Sequence, residues 1–230
     1  MGQTSLHESI KQWYSRPGDQ LEAWVDGYLI DIVRGELLIE VQTSNFSSIK
    51  GKVRDLLRTH FVRVVHPVVI NKWIVRLDSD GENVSRRKSP RRGRVEDLFR
   101  ELVYMPTIWR SSNLSLEVLR IDAEDVLIDD GKGSWRRKYW SVHDKRLVNI
   151  IDKEVYRGPT DFLGLLSENL PKQFTTNQIA ETSGLNLNIA RKMAYTLRKM
   201  GVIEKIGKRG RATLYAMSKN MGEQEVQQHS

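Results

Sequence analysis

The sequence predicts an α/β protein in which a mixed-sheet domain, residues 1–128, precedes a small helix-turn-helix domain with a β-hairpin, residues 159–218. Three observations carry the prediction. Short β-patterned runs at 21–25, 28–33 and 37–42 are punctuated by Asp26-Gly27 and Arg34-Gly35. Segments with apolar residues every three to four positions lie on either side of them. Further on, two helical patterns split by Gly184 run into two short apolar stretches around the basic sequence GKRGR.

The elements follow in order. Residues 5–15 form a helix, because Leu6, Ile10, Trp13 and Tyr14 recur at helical spacing and Pro17-Gly18-Asp19 stops it. The three strands come next. Ser47 or Ser48 caps a helix reaching Arg58, with Ile49, Val53, Leu56 and Leu57 on its apolar face. Two more strands are expected at 61–69 and 72–77. Residues 79–94 are polar and rich in turn formers, a loop. Residues 95–109 read as a helix, 114–120 as a strand and 146–156 as a connecting helix. A basic and aromatic connector is assigned to 129–158 and a flexible polar tail to 219–230.

No apolar run among the 230 residues reaches bilayer length, and MGQTSLHESIKQWY lacks the apolar core of a signal peptide. A soluble, cytoplasmic protein without a membrane partner is expected. The absence of cysteine excludes disulfides, zinc–thiolate sites and a thiol nucleophile. His7, His60, His66 and His143 are scattered without metal-ligand spacing. The formal charge of +8 is concentrated: between residues 172 and 219, ten Lys or Arg stand against Glu181 and Glu204. Such an excess favours an anionic partner.

One strand raises a chemical question. In LLIEVQ, residues 37–42, alternation puts Leu38, Glu40 and Gln42 on one face. With Arg34-Gly35 as a two-residue turn, Asp31 falls opposite Leu38 and diagonal to Glu40. Two carboxylates in an apolar sheet lose hydration and repel each other unless a positive charge joins them. Mg²⁺ meets that need, since it takes one or two carboxylates, keeps several waters and accepts phosphate oxygens.

Helix, hairpin with Asp31, strand with Glu40-x-Gln42 and following helix together resemble the core of the PD-(D/E)XK nuclease superfamily. The likeness is greatest to its Holliday-junction-resolvase and restriction-endonuclease branches. The resemblance implies Mg²⁺- or Mn²⁺-dependent hydrolysis of DNA phosphodiesters, with Asp31 as the strand aspartate and Glu40 as the glutamate of E-x-K. It also implies Glu8 as the additional metal ligand on the first helix. Gln42 stands where the family carries lysine, so the cation is expected from Lys52 or Lys50 on the next helix.

Two basic features complete the reading. SRRKSPRRGR places Arg86, Arg87, Lys88, Arg91, Arg92 and Arg94 within ten residues, a natural counter-surface for phosphate backbone. WRRKYW, 135–140, interleaves aromatics and cations, its Trp pair serving as core anchors. The C-terminal pattern resembles a winged-helix domain, which implies a recognition helix with Asn188, Arg191, Lys192 and Tyr195 outward and a wing carrying Lys208, Arg209 and Arg211. Double-stranded or branched DNA is the expected partner, with a homodimer and a role in a repair, recombination or mobile-element assembly as further expectations. Gln42 leaves two other readings open: a catalytically inactive nuclease-like DNA-binding regulator, and an assembly subunit whose winged helix docks a protein.

Overall fold

The computed structural model describes residues 5–78, 81–130 and 140–218. Over these the chain is α/β with a mixed sheet. It divides into two compact units that interleave along the sequence, one taking residues 1–44, 60–94 and 116–155, the other 45–59, 95–115 and 156–230.

The first unit holds helix α1 (Ser5–Tyr14), strands β1 (Gln20–Val25), β2 (Tyr28–Arg34), β3 (Leu37–Val41), β4 (Phe61–Leu77) and β5 (Asn83–Lys88), and most of β6 (Leu114–Ile128) and β7 (Ser141–Tyr156). The sheet order is β1-β2-β3-β4-β6-β7, with β5 paired to β4. β1, β2 and β3 run antiparallel, and β3 lies parallel to β4 from Leu37↔Phe61 to Val41↔Val65. The apolar stripe of α1, Leu6, Ile10 and Tyr14, is buried with Ile32, Ile39, Val41, Val65, Leu119 and Ile121. Side chains from other strands fix both ends of this helix. Asp144 of β7 accepts from Ser5 N–H at 3.2 Å and Ser5 Oγ at 2.6 Å, satisfying a donor that the first turn leaves open. Burial opposes the Asp144 charge, but these bonds and that from Lys145 N–H outweigh it and hold the carboxyl below its ordinary range. At the other end, Tyr14 donates to Glu117 of β6, which is 1% exposed and meets Arg63 of β4 at 3.1 Å and Lys153 of β7 at 3.2 Å. Burial raises the Tyr14 phenol above its ordinary range, so it remains a donor.

Several expectations are corrected here. Residues 146–156 are not a helix but the second part of β7. The run holds Val148, Ile150, Ile151 and Val155, whose branched side chains suit a pleated strand, and Leu147 and Ile150 pack on the core cluster. The strands expected at 61–69 and 72–77 are one, β4, because Asn71 makes no turn and instead donates to Asp122 of β6 at 2.7 Å. Part of the expected 79–94 loop is β5, paired with Trp73–Leu77 and held by Arg86 and Lys88 over the Trp73 ring at 5.1 and 5.2 Å. The helix at 95–109 is broken into a 3-10 turn at Val95–Leu98, the short α3 (Phe99–Leu102) and a second 3-10 turn at Ile108–Arg110, with Pro106 in the gap.

The second unit contains α2 (Phe46–Leu56), α3, β8 (Gln173–Phe174), α4 (Thr176–Ser183), α5 (Leu187–Met200), β9 (Ile203–Arg209) and β10 (Ala212–Met217). An aromatic series from distant segments forms its centre: Phe46 to Trp109 at 6.1 Å, Trp109 to Phe162 at 6.1 Å and Phe162 stacked on Tyr156 at 4.8 Å. Asn45, rather than Ser47 or Ser48, stands at the N-cap of α2, in a left-handed conformation that Asn tolerates. Glu101 accepts Phe46 N–H at 2.9 Å. Thr175 caps α4, Gly184 ends it at φ +61°, and Asn186 caps α5 through Ile189 N–H at 3.0 Å. β9 and β10 pair antiparallel around Gly210-Arg211, with β8 on the far side of β10.

Candidate functional site

The first unit brings acids from three adjacent strands into line. The two-residue turn between β2 and β3 is Gly35-Glu36, since Arg34 pairs with Leu37, and not Arg34-Gly35 as expected. The register therefore moves by one pair, and Ile32↔Ile39 puts Asp31 directly across from Glu40. On the other side, Leu21↔Ile32 and Ala23↔Ile30 put Glu22 across from Asp31. Glu22 departs from the strand with φ +51°, a conformation that costs a non-glycine residue about 1–3 kcal/mol and collects at functional sites. Asp31 also leaves the regular ladder, and its Oδ2 accepts Val41 N–H at 2.8 Å. Glu40 is 5% exposed.

Helix α1 supplies the cations of this cluster. His7 Nε2 lies 3.3 Å from Asp31 Oδ2, and Lys11 Nζ lies 2.9 Å from Glu8 and 2.6 Å from Glu22. The hydrogen bond to Asp31 outweighs burial and holds the His7 imidazolium above the ordinary histidine range. Burial pulls Lys11 down, but its bonds to Glu22 and Glu8 prevail and raise it. Glu22, His7 and Lys11 were missed in the sequence. Spacing alone could have offered Lys11, three residues beyond Glu8 on the same helical face, whereas Glu22 emerges only from the strand register.

Of the expected metal ligands, Asp31 and Glu40 stand opposite each other in strand register, while Glu8 is held by Lys11. Among the described residues no group of three or more His, Cys, Asp or Glu is arranged to hold a metal ion. The pair Asp31 and Glu40 fits the chemistry of Mg²⁺ or Mn²⁺ as oxygen donors, with Glu40 buried where an unaccompanied charge is costly. Gln42 turns its Nε2 to the Ser44 carbonyl, and its backbone carbonyl accepts from His66 Nδ1 at 2.6 Å. Lys50, exposed, and Lys52, half-buried, lie on α2 in the second unit. His60 pairs with Asp26 at 2.8 Å, and His143 is exposed.

The basic sequence of 85–94 is split in role. Arg86 pairs with Glu124 at 2.6 Å and covers Trp73, which Lys88 also covers. Arg87, Arg91, Arg92 and Arg94 are exposed. In the second unit, Asn188, Arg191 and Tyr195 are exposed along one side of α5, opposite buried Ile189, Met193, Ala194, Leu197 and Met200. Lys192 belongs to the same side and sits 6.0 Å over the Tyr104 ring. Lys208 and Arg209 lie in β9 and Arg211 in the hairpin turn, all exposed. Residues 135–139 of the aromatic connector and the 219–230 tail lie outside the described residues; Trp140 stands 5.1 Å from the Arg76 guanidinium.

The model of a family described as a domain of unknown function, DUF8091, matches residues 4–157, a span that includes the whole acidic cluster. A protein of Treponema pallidum (strain Nichols), described as uncharacterized, is 31% identical over 215 residues, covering 93% of this chain and 84% of that one. No solved structure matches. No helix among the described residues is long and apolar enough to cross a membrane.

Proposed function

The chain belongs to the DUF8091 family, and we propose that it is a DNA-binding, divalent-metal-dependent nuclease with a PD-(D/E)XK-like core in the first unit and a winged helix at α4, α5 and the β9–β10 hairpin. One observation carries the proposal: buried Glu40 stands directly across from Asp31 at the point where the ladder between their strands opens. Asp31 and Glu40 hold the ion. When bound, Mg²⁺ or Mn²⁺ supplies Lewis acidity toward a phosphodiester and activates water for its hydrolysis. Val41 N–H and His7 from α1 both meet Asp31 Oδ2 and hold its side chain in place. Lys11 sits between Glu8 and Glu22 and offsets their mutual repulsion. The exposed side of α5 offers side chains to a major groove, and Lys208, Arg209 and Arg211 offer charge to phosphate.

The test is incubation of the full chain with linear, branched and supercoiled DNA in Mg²⁺, Mn²⁺ or EDTA, beside a Glu40→Ala variant. Metal-dependent scission lost in the variant is the expected result. Scission undiminished by Glu40→Ala rejects the site.

A second reading, a nuclease-like DNA-binding regulator without catalysis, draws on the Gln42 side chain. It is turned to Ser44 and supplies no cation beside Glu40. Binding without scission under every metal condition is the outcome that selects it.

A further inference from the structure

We infer that the 89–94 loop is a fixed phosphate-holding rail, set along β4 about six base steps from the Asp31–Glu40 pair, which grips the same DNA to one side of the reacting phosphate. For the identity of that phosphate the inference rests on the nuclease reading.

The placement follows from the two edges of β4. β6 takes one edge along its length, as the contacts Arg63 to Glu117, Asn71 to Asp122 and Leu77 carbonyl to Asp129 N–H show. β3 takes the other edge as far as Val41↔Val65, with Gln42 N–H reaching the Val65 carbonyl at 2.9 Å. Beyond β3 that same edge receives the loop, with Gly93 N–H on the Ile70 carbonyl at 3.0 Å and Ser89 N–H on the Lys72 carbonyl at 2.7 Å. From Val64, the partner of Glu40, to Ile70 is six strand residues, about 20 Å at roughly 3.3 Å each. Phosphates of one DNA strand advance about 3.4 Å each along the duplex axis, so a duplex lying along β4 spans this distance in about six steps.

The loop is fixed because of Gly93. A Cβ there would stand 1.9 Å from the Val69 carbonyl oxygen and 2.9 Å from its carbon. Both are backbone atoms of a central strand and cannot yield cheaply, so the loop backbone lies against the strand as only glycine allows. Arg91 and Arg92 immediately precede this anchor. Both are exposed, and among the described residues neither guanidinium meets a carboxylate. Arg86 and Lys88, by contrast, are engaged within the protein.

The experiment uses the full chain in EDTA and follows affinity for a labelled duplex, long enough to cover both groups, against salt concentration. Arg91→Ala/Arg92→Ala should flatten the slope of log affinity against log salt by about two, at roughly 0.9 per phosphate contact. Arg91→Lys/Arg92→Lys should restore it. Gly93→Ala should weaken binding although both arginines remain; should that variant unfold by circular dichroism, the arginine pair decides alone. In Mg²⁺, the cleavage defect of Arg91→Ala/Arg92→Ala should vanish once fewer than about six base pairs remain on one side of the cut. A slope equal to that of the parent overturns the inference, and so does a defect indifferent to arm length. Absence of any metal-dependent cleavage by the parent defeats the nuclease reading and leaves the salt-slope result to stand or fall separately.

Discussion

Asp31 has two separable duties, and two substitutions divide them. Its Oδ2 accepts Val41 N–H at 2.8 Å in a site where the side chain is 13% exposed, and its charge faces His7. Asp31→Asn keeps an acceptor oxygen for Val41 and removes the charge. Asp31→Ala leaves the Val41 N–H without that acceptor in a poorly hydrated place, a cost of about 1–3 kcal/mol. Loss of the His7 pair adds to it in both variants. Asp31→Ala should therefore unfold at lower urea, with a loss of roughly 1–2 kcal/mol more than Asp31→Asn. Both variants should lose metal-dependent scission, since neither presents a carboxylate. Equal stability of the two variants would refute the assignment of the Val41 bond, and scission by Asp31→Asn at the parental rate would refute the metal role.

Three other outcomes are expected. Glu117→Ala removes the acceptor shared by Tyr14, Arg63 and Lys153, and urea unfolding should show a loss of about 3 kcal/mol, the lower end for breaking a buried pair because Arg63 and Lys153 still reach water. Asp19, held below its ordinary range chiefly by the Arg34 hydrogen bond, contributes stability that is present above its unfolded pKa and lost as pH falls through the depressed folded value. Arg34→Ala should thus flatten the acid limb of a stability–pH curve and leave its alkaline side unchanged in slope. Changing Lys208, Arg209 and Arg211 together to Ala in the full chain should reduce the salt slope of DNA affinity by up to about three, and an unchanged slope would direct the hairpin toward a protein partner.

The strands β1 to β3 were legible because Asp26-Gly27 and the glycine at 35 mark their turns, and α4 and α5 because Gly184 divides two apolar stripes. The turn before β3 was misjudged by one residue. In a strand pair that slip preserves which face a side chain occupies while changing its neighbour, and so Asp31 and Glu40 were paired diagonally instead of directly. The run Leu147, Val148, Ile150, Ile151 satisfies helical and extended spacing alike, and only the open edge of β6 decides for a strand. His7 could not be read as a site residue because its importance comes from Asp31, which approaches α1 only once the sheet has formed.

The interleaving of the two units has a consequence for biosynthesis. Phe46 leaves the ribosome more than a hundred residues ahead of Phe162, although both belong to the same aromatic series with Trp109 and Tyr156. At about 5–20 residues per second, the early aromatic waits on the order of ten seconds for its late neighbours. During that interval α2 is a solvent-exposed hydrophobic segment on a nascent chain, where a chaperone that binds short apolar stretches has its best opportunity. Slow codons placed between residues 59 and 95 would lengthen the wait and raise the aggregated fraction, whereas the same codons after residue 200 would leave it unchanged.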